Sequence, residues 1–253
     1  GRDFLSLYKE LINNTLVRFI SIFIISSKLR RKFRCKFLYL HEMCSNGNKV
    51  FLIDENGQVK QIANPVNGVR ISFKGCNNQV FLNKNIEFKN SRLIFTGNNA
   101  KASLGSGYYD NFNAILAENG NLAIGNNFKC FGVTLHLREF GSTIFIGNNC
   151  LFSLKINIWG SDIHSLIIRG ENKAYNLTKP IFIGDNVWLG YHSVVTKGAI
   201  ISNNSAVGTM AVVSGKFTEP NIVLAGNPAR IVKRGIMWSE LSPYEYNQLF
   251  CDD

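Results

Sequence analysis

His164 stands in the setting best suited to chemistry in this 253-residue chain. It lies in the polar stretch Gly-Ser-Asp-Ile-His at 160–164, two residues after Asp162. A neutral imidazole titrates near physiological pH and can take a proton from a weakly acidic hydroxyl, which is the work of a general base. The same residue type serves as an ordinary surface-loop histidine, and residue type alone does not separate the two readings. Asp162 could orient the imidazole, hold a polar ligand or cap a turn, since Asp readily bonds its own backbone. Trp188 carries a ring large enough to stack on a sugar or to pack at a subunit interface.

Other chemistries find less support. The histidines at 41, 136, 164 and 192 are widely dispersed, with no pair at the spacing of a helical zinc site. No metal is expected, and a zinc carbonic anhydrase chemistry, which needs several histidines about one ion, is disfavoured. The six cysteines form neither a Cys-x-x-Cys pair nor a dense framework, so reduced packing thiols in a cytoplasmic protein are expected. A formal charge of +11 suits anionic partners: nucleic acid, lipid, a phosphate-bearing cosubstrate or an acidic polysaccharide. Nucleic acid is disfavoured because no groove-reading or base-stacking module is present.

The elements that must position these residues are announced by a repeat. From residue 183 the chain divides without a gap into IGDNVW, LGYHSV, VTKGAI, ISNNSA, VGTMAV and VSGKFT. The first place is always aliphatic: Ile183, Leu189, Val195, Ile201, Val207 and Val213. The fifth is small or compact from Val187 to Ala211, and Phe217 breaks the rule. A six-residue phase fits neither the two-residue period of a strand nor the 3.6 of a helix. It predicts a triangular solenoid in which each hexad supplies one short strand and a corner, and three hexads close a coil. The phrase returns upstream as IFTGNN at 94, AIGNNF at 123, IFIGNN at 144 and IFIGDN at 181, with Asn and Gly at corners that demand left-handed backbone. Short strands bounded by turn residues carry the expectation back to about residue 50.

Two segments depart from the repeat. Residues 160–180 lack the hexad register and predict an extruded loop on a rigid scaffold. Residues 1–45 combine an apolar run from Phe19 to Ile25 with a basic cluster at Lys28, Arg30, Arg31, Lys32, Arg34 and Lys36. They predict a helical extension, either capping the solenoid or resting over 16–38 on an anionic membrane surface, which would place a cytoplasmic protein peripherally at the inner face. The apolar run is too short to span a bilayer. The solenoid is expected over 46–238, and 239–253 is expected to be a tail or helix, with Ser242 and Pro243 suited to start it.

Residues 122–238 resemble the hexapeptide-repeat acyltransferases, especially those that O-acetylate surface polysaccharides or sugars. The resemblance rests on the hexads, on SDIH at 161–164, on IGDNVWLG at 183–190 and on AGNPARIV at 225–232 followed by Lys233. It implies a left-handed parallel β-helix that assembles as a homotrimer with active sites between subunits. It implies that acetyl-CoA is the co-substrate, that His164 is the catalytic base, and that Trp188 lines the cleft shared by acceptor and thioester. Asn176 would contact the acceptor or the loop backbone. Gly190, Tyr191 and Thr209 would meet the pantetheine, Gly226, Asn227 and Pro228 would shape the turn beside it, and Arg230 and Lys233 would face its phosphates. Near Ser214 one residue stands in excess of the usual pattern before Glu219 and Pro220, leaving open whether Gly215 or Lys216 meets the cofactor. Tyr191 stands where a smaller residue is frequent.

The function so implied is transfer of acetyl to a hydroxyl of a capsule or lipopolysaccharide sugar. Two rivals remain: N-acetylation of a nucleotide-linked amino sugar, and a solenoid that binds glycan or membrane without catalysis.

Overall fold

The computed structural model describes residues 46–64 and 66–250, together with Leu29. The expected helical extension, its basic cluster and the membrane contact over 16–38 therefore lie outside the described residues, Leu29 apart. From Lys49 onward the chain winds through about seven coils of a parallel β-helix, the all-β solenoid that the hexads predict. Its first face stacks Lys49–Ile53, Gln79–Asn83, Lys101–Leu104, Asn121–Ile124, Thr143–Ile146, Ile181–Ile183, Ile200–Ile201 and Lys216–Phe217. The second stacks Ile86–Lys89, Gly107–Asp110, Phe128–Cys130, Leu151–Phe152, Trp188–Leu189, Ala206–Val207 and Ile222–Ala225. The third stacks Val69–Phe73, Ser91–Phe95, Phe112–Leu116, Val133–Leu137, Ile156–Trp159, Val194–Thr196 and Val212–Val213.

The hexad phase is the geometry of these faces. Ile183, Leu189 and Val195 fall on the first, second and third face in turn, and pair one coil on with Ile201, Val207 and Val213. All six are buried, as are the fifth-place residues Val187, Ser193, Ala199, Ser205 and Ala211. Phe217 breaks the fifth-place rule because it does not occupy a fifth place in the structure. It pairs with Ile201 and takes the inward place of the next coil, which is shorter than the one before it. The step from Ile201 to Phe217 is two residues shorter than the step from Ile183 to Ile201.

The core changes character along the axis. In the upstream coils Phe95, Tyr109, Phe112, Phe128 and Phe152 are fully buried, with ring centroids 4.9 Å apart for Tyr109 and Phe128 and 5.0 Å for Phe128 and Phe152. The downstream coils are filled by Ile, Val, Leu and Ala. Longer upstream coils enclose more space, and a close-packed interior needs larger side chains to fill it.

Corners are turned by Asn in left-handed backbone. Asn127, Asn149, Asn186, Asn204 and Asn221 have φ between 54° and 60° and lie one above another, each amide donating to the preceding coil from Asn149 onward. Side chains reinforce this corner. Asn148 Oδ1 accepts from Asn126 N at 2.8 Å, Asp185 Oδ1 from Asn148 N at 2.6 Å, and Asn203 Oδ1 from Asp185 N at 2.9 Å. Beyond the last coil, Arg230–Arg234 returns antiparallel along Ile222–Ala225, and a helix, α1, spans Pro243–Phe250. Ser242 and Glu245 close a reciprocal capping box at its start, Ser242 N donating to Glu245 Oε2 at 2.9 Å and Glu245 N to Ser242 Oγ at 3.3 Å.

Candidate functional site

The extruded loop leaves the third face after Trp159 and rejoins the first at Ile181. Its root is tight: a Cβ at Gly160 would lie 2.3 Å from Ser142 Oγ, and Thr178 Oγ1 ties back to Gly160 O at 2.6 Å. Ile163, immediately before His164, has φ +67°. A β-branched residue in that region is strained and persists only where its surroundings hold it.

Asn176 provides much of that hold. Its Nδ2 donates to Asp162 Oδ2 at 2.8 Å and to His164 O at 2.9 Å, while its Oδ1 accepts from Leu166 N at 2.8 Å. Asp162 in turn accepts from Lys197 Nζ, which also donates to Asn176 O. The Lys197 ammonium holds the Asp162 carboxyl below the usual carboxylate range, with Asn176 acting in the same direction against partial desolvation. Asp162 and Asn176 thus brace the His164 backbone, and the carboxylate does not reach the imidazole. His164 itself is exposed, and among the described residues its ring has no hydrogen-bond partner. Lys197 escaped the sequence reading. It lies 35 residues from Asp162 inside a hexad, where a third-place lysine reads as solvent-facing.

Most of the other candidates gather on a different side of the prism. Trp188 opens its strand on the second face, 40% exposed, with Nε1 donating to Ser153 Oγ at 3.3 Å and its ring 6.3 Å from that of Trp238. At the edge where the second face turns into the third, successive coils bring Leu154 and Lys155, then Tyr191 and His192, then Thr209 and Met210 into line. His192 N donates to Leu154 O and Met210 N to Tyr191 O, both at 2.9 Å. Gly190 packs so closely that a Cβ would stand 2.6 Å from Val207 O. Lys155 Nζ lies 5.5 Å from the centre of the Tyr191 ring. One coil further, Gly226 O accepts from Val212 N at 2.9 Å, and Asn227, joined to Pro228 by a cis peptide, makes the turn into the strand carrying exposed Arg230 and Lys233.

Gly215 and Lys216 are not on this edge. They lie where the third face turns into the first, below the Lys197 corner, with Gly215 O accepting from Ile200 N at 3.2 Å. Among the described residues no hydrogen bond, ion pair or ring contact joins the His164 loop to Trp188 or Tyr191. No set of three or more His, Cys, Asp or Glu residues among them is arranged to hold a metal ion, and no helix among them is long and apolar enough to cross a membrane.

One further histidine sits beside the loop root. His136 is buried on the outer surface of the third face, its ring stacked on Trp159 at 3.8 Å between centroids, and its Nδ1 has no partner. Burial depresses its basicity, assisted by Arg138 and opposed by a hydrogen bond with Asn157.

No family model matches the chain. It is 34% identical over 116 residues to a galactoside O-acetyltransferase of Escherichia coli, across 45% of this chain and 54% of that protein, so the match spans about half of that relative. It is 30% identical over 152 residues to WbbJ, an Escherichia coli protein named for O-acetyl transfer in lipopolysaccharide biosynthesis, across 49% of this chain and 76% of that protein. Among solved structures, the polySia-specific acetyltransferase NeuO superposes with a TM-score of 0.64 at 22% identity, covering 77% of this chain and 84% of that one.

Proposed function

The chain belongs to the hexapeptide-repeat acyltransferase family, and on that premise we propose that it moves an acetyl group from acetyl-CoA to a hydroxyl of a bacterial surface polysaccharide. The observation that carries this reading is the braced loop. A strained backbone at Ile163, clamped by Asn176, Asp162 and Lys197, presents an imidazole with both ring nitrogens free for other partners. Strain of this kind gathers where a side chain must be aimed.

In the proposed reaction His164 takes the proton of the acceptor hydroxyl as its oxygen bonds to the thioester carbonyl carbon. The imidazolium then returns that proton to the sulfur as the C–S bond breaks, so the acetyl ester and free thiol form without net proton uptake. Backbone N–H groups would stabilise the developing oxyanion. Gly190, Tyr191, Thr209 and Gly226 mark the edge along which the pantetheine would lie, and Arg230 and Lys233 are the exposed cations at its end suited to phosphate.

That edge and the loop belong to different corners of one prism, so we propose that the site is completed between copies. The His164 loop, with Gly215 or Lys216 beneath it, would come from one copy, and Trp188 with the Tyr191 edge from the next. A homotrimer of left-handed solenoids, the arrangement that the resemblance implies, joins unlike edges in this way and closes.

The test is His164→Ala. Acetyl transfer should fall about a thousandfold, while the far-UV spectrum, oligomeric state and CoA affinity stay unchanged. Turnover at the unsubstituted rate would overturn the assignment. Because the product is an ester, mild alkali should release the acetyl group. Retention of the label would favour amide formation on an amino sugar.

A further inference from the structure

An open groove of about 480 Å³ runs along the outside of the third face, beside the edge that carries Tyr191. It is lined by Asn113, Phe131, Thr134, Lys155, Asn157 and His192 among others, and no carboxylate borders it. Asn113 Nδ2 and Asn157 Nδ2 each donate to the carbonyl two residues back, at 3.1 and 3.2 Å, which holds both carboxamides along the wall. Phe131 is 41% exposed there. Amides, a hydroxyl and an open aromatic face are groups that meet the hydroxyls and C–H faces of sugars.

The wall continues upstream into positive charge. In register, Asn157 pairs with Thr134, Thr134 with Asn113, Asn113 with Arg92, and Arg92 with Arg70. At about 4.8 Å per strand this column runs roughly 19 Å along the solenoid axis. Arg70 and Arg92 are adjacent, exposed and alike in charge, and among the described residues neither guanidinium meets a carboxylate. Like charges directly opposite one another on neighbouring strands destabilise a sheet. A bound anion relieves that repulsion, and a guanidinium pairs with carboxylates in a planar, two-bonded geometry.

We propose that this column is a binding site for an extended acidic glycan. Carboxylates on the chain would be held by Arg70 and Arg92, and the chain would be led past Asn113, Thr134 and Asn157 towards the edge at Lys155 and His192. The inference rests on the transferase reading for its direction, since the groove ends where the thioester is placed. It adds a charge requirement for the acceptor and a subsite away from the reacting atoms.

The experiment uses the full chain with fluorescein-labelled polygalacturonate, polysialate and dextran. At least one of the two anionic polymers should bind more tightly than dextran. Arg70→Gln with Arg92→Gln should weaken that binding about tenfold, the sum of two exposed ion pairs, while CoA affinity and oligomeric state stay as they were. A charge-matched control, Lys49→Gln with Lys60→Gln on the first face, should change it less than twofold. Equal loss in the control, equal binding of dextran, or undiminished binding in the arginine variant would each overturn the proposal. Arginine-dependent binding in a protein that transfers no acetyl group would support the groove and count against the transferase reading, so the two fail separately.

Discussion

At the residue scale the loop depends on one lysine that lies far away in sequence. Lys197 is largely buried at its side chain and reaches both Asp162 and the Asn176 carbonyl. Lys197→Met should release the brace on His164, and a misplacement of the order of 1 Å costs up to about a hundredfold in rate. Steady-state kinetics should show kcat falling 10- to 100-fold with KM for acetyl-CoA within about twofold, and Lys197→Arg recovering part of the loss. A loss confined to stability, with kcat intact in the folded fraction, would deny it a positioning role. The sign of the pH dependence follows from Asp162. Its carboxyl is depressed in the folded protein, so the brace is fully made above the ordinary carboxylate range and is lost as pH falls through the folded value. His136 acts in a different window. A buried imidazole of lowered basicity resists protonation, so the unfolded chain binds more protons below about pH 6.5 and stability declines there. His136→Phe should flatten the fall in thermal midpoint between about pH 7 and 5, as read by calorimetry.

At the element scale each coil is a layer whose perimeter sets what can fill it. Phe128 is fully buried against Tyr109 and Phe152, and its truncation to Ala should destabilise the protein by about 3–5 kcal/mol in urea titrations. Gly107 has φ +138° and a Cβ there would lie 2.0 Å from Phe128 O, on the backbone of the next coil, so Gly107→Ala should be damaging as well. The coils from Ile183 to Val213 were legible in the sequence because each face and corner there uses six residues, which keeps Ile183, Leu189 and Val195 in one unbroken phase. Upstream, longer strands such as Phe112–Leu116 and Val133–Leu137 break that phase while keeping strict register between coils. There the alternation within each strand remained readable and the hexad did not. Phe217, counted as a fifth-place residue in the hexads and found opposite the first-place Ile201, shows the same limit, since one contracted turn moves every later position. Of the candidate site, His164, Asp162 and Asn176 were legible as loop residues and Tyr191 and Thr209 as stacked neighbours. The division of Gly215 and Lys216 from that edge, and the bond from Lys197, depend on how coils lie side by side and leave no local pattern.

At the scale of the whole molecule, the two sets of candidates face different ways, and this yields a test of assembly. Copies carrying His164→Ala and copies carrying Trp188→Ala should each be inactive alone. Co-expressed in equal amounts, about a quarter of the sites in a ring would join an intact loop to an intact tryptophan, so activity should return to about that fraction. No recovery would place both residues in one copy's site or in none. The same scale gives meaning to the reversed strands at the ends. Parallel coils stacked by backbone bonds form a growing end, since each exposed edge invites another of its kind. Val59–Ile62 and Arg230–Arg234 each run against their neighbours, one on the first face at its start and one on the second face at its finish. At those two ends a further coil running with the stack would meet its neighbour antiparallel, so the parallel ladder that the other coils repeat is not continued there.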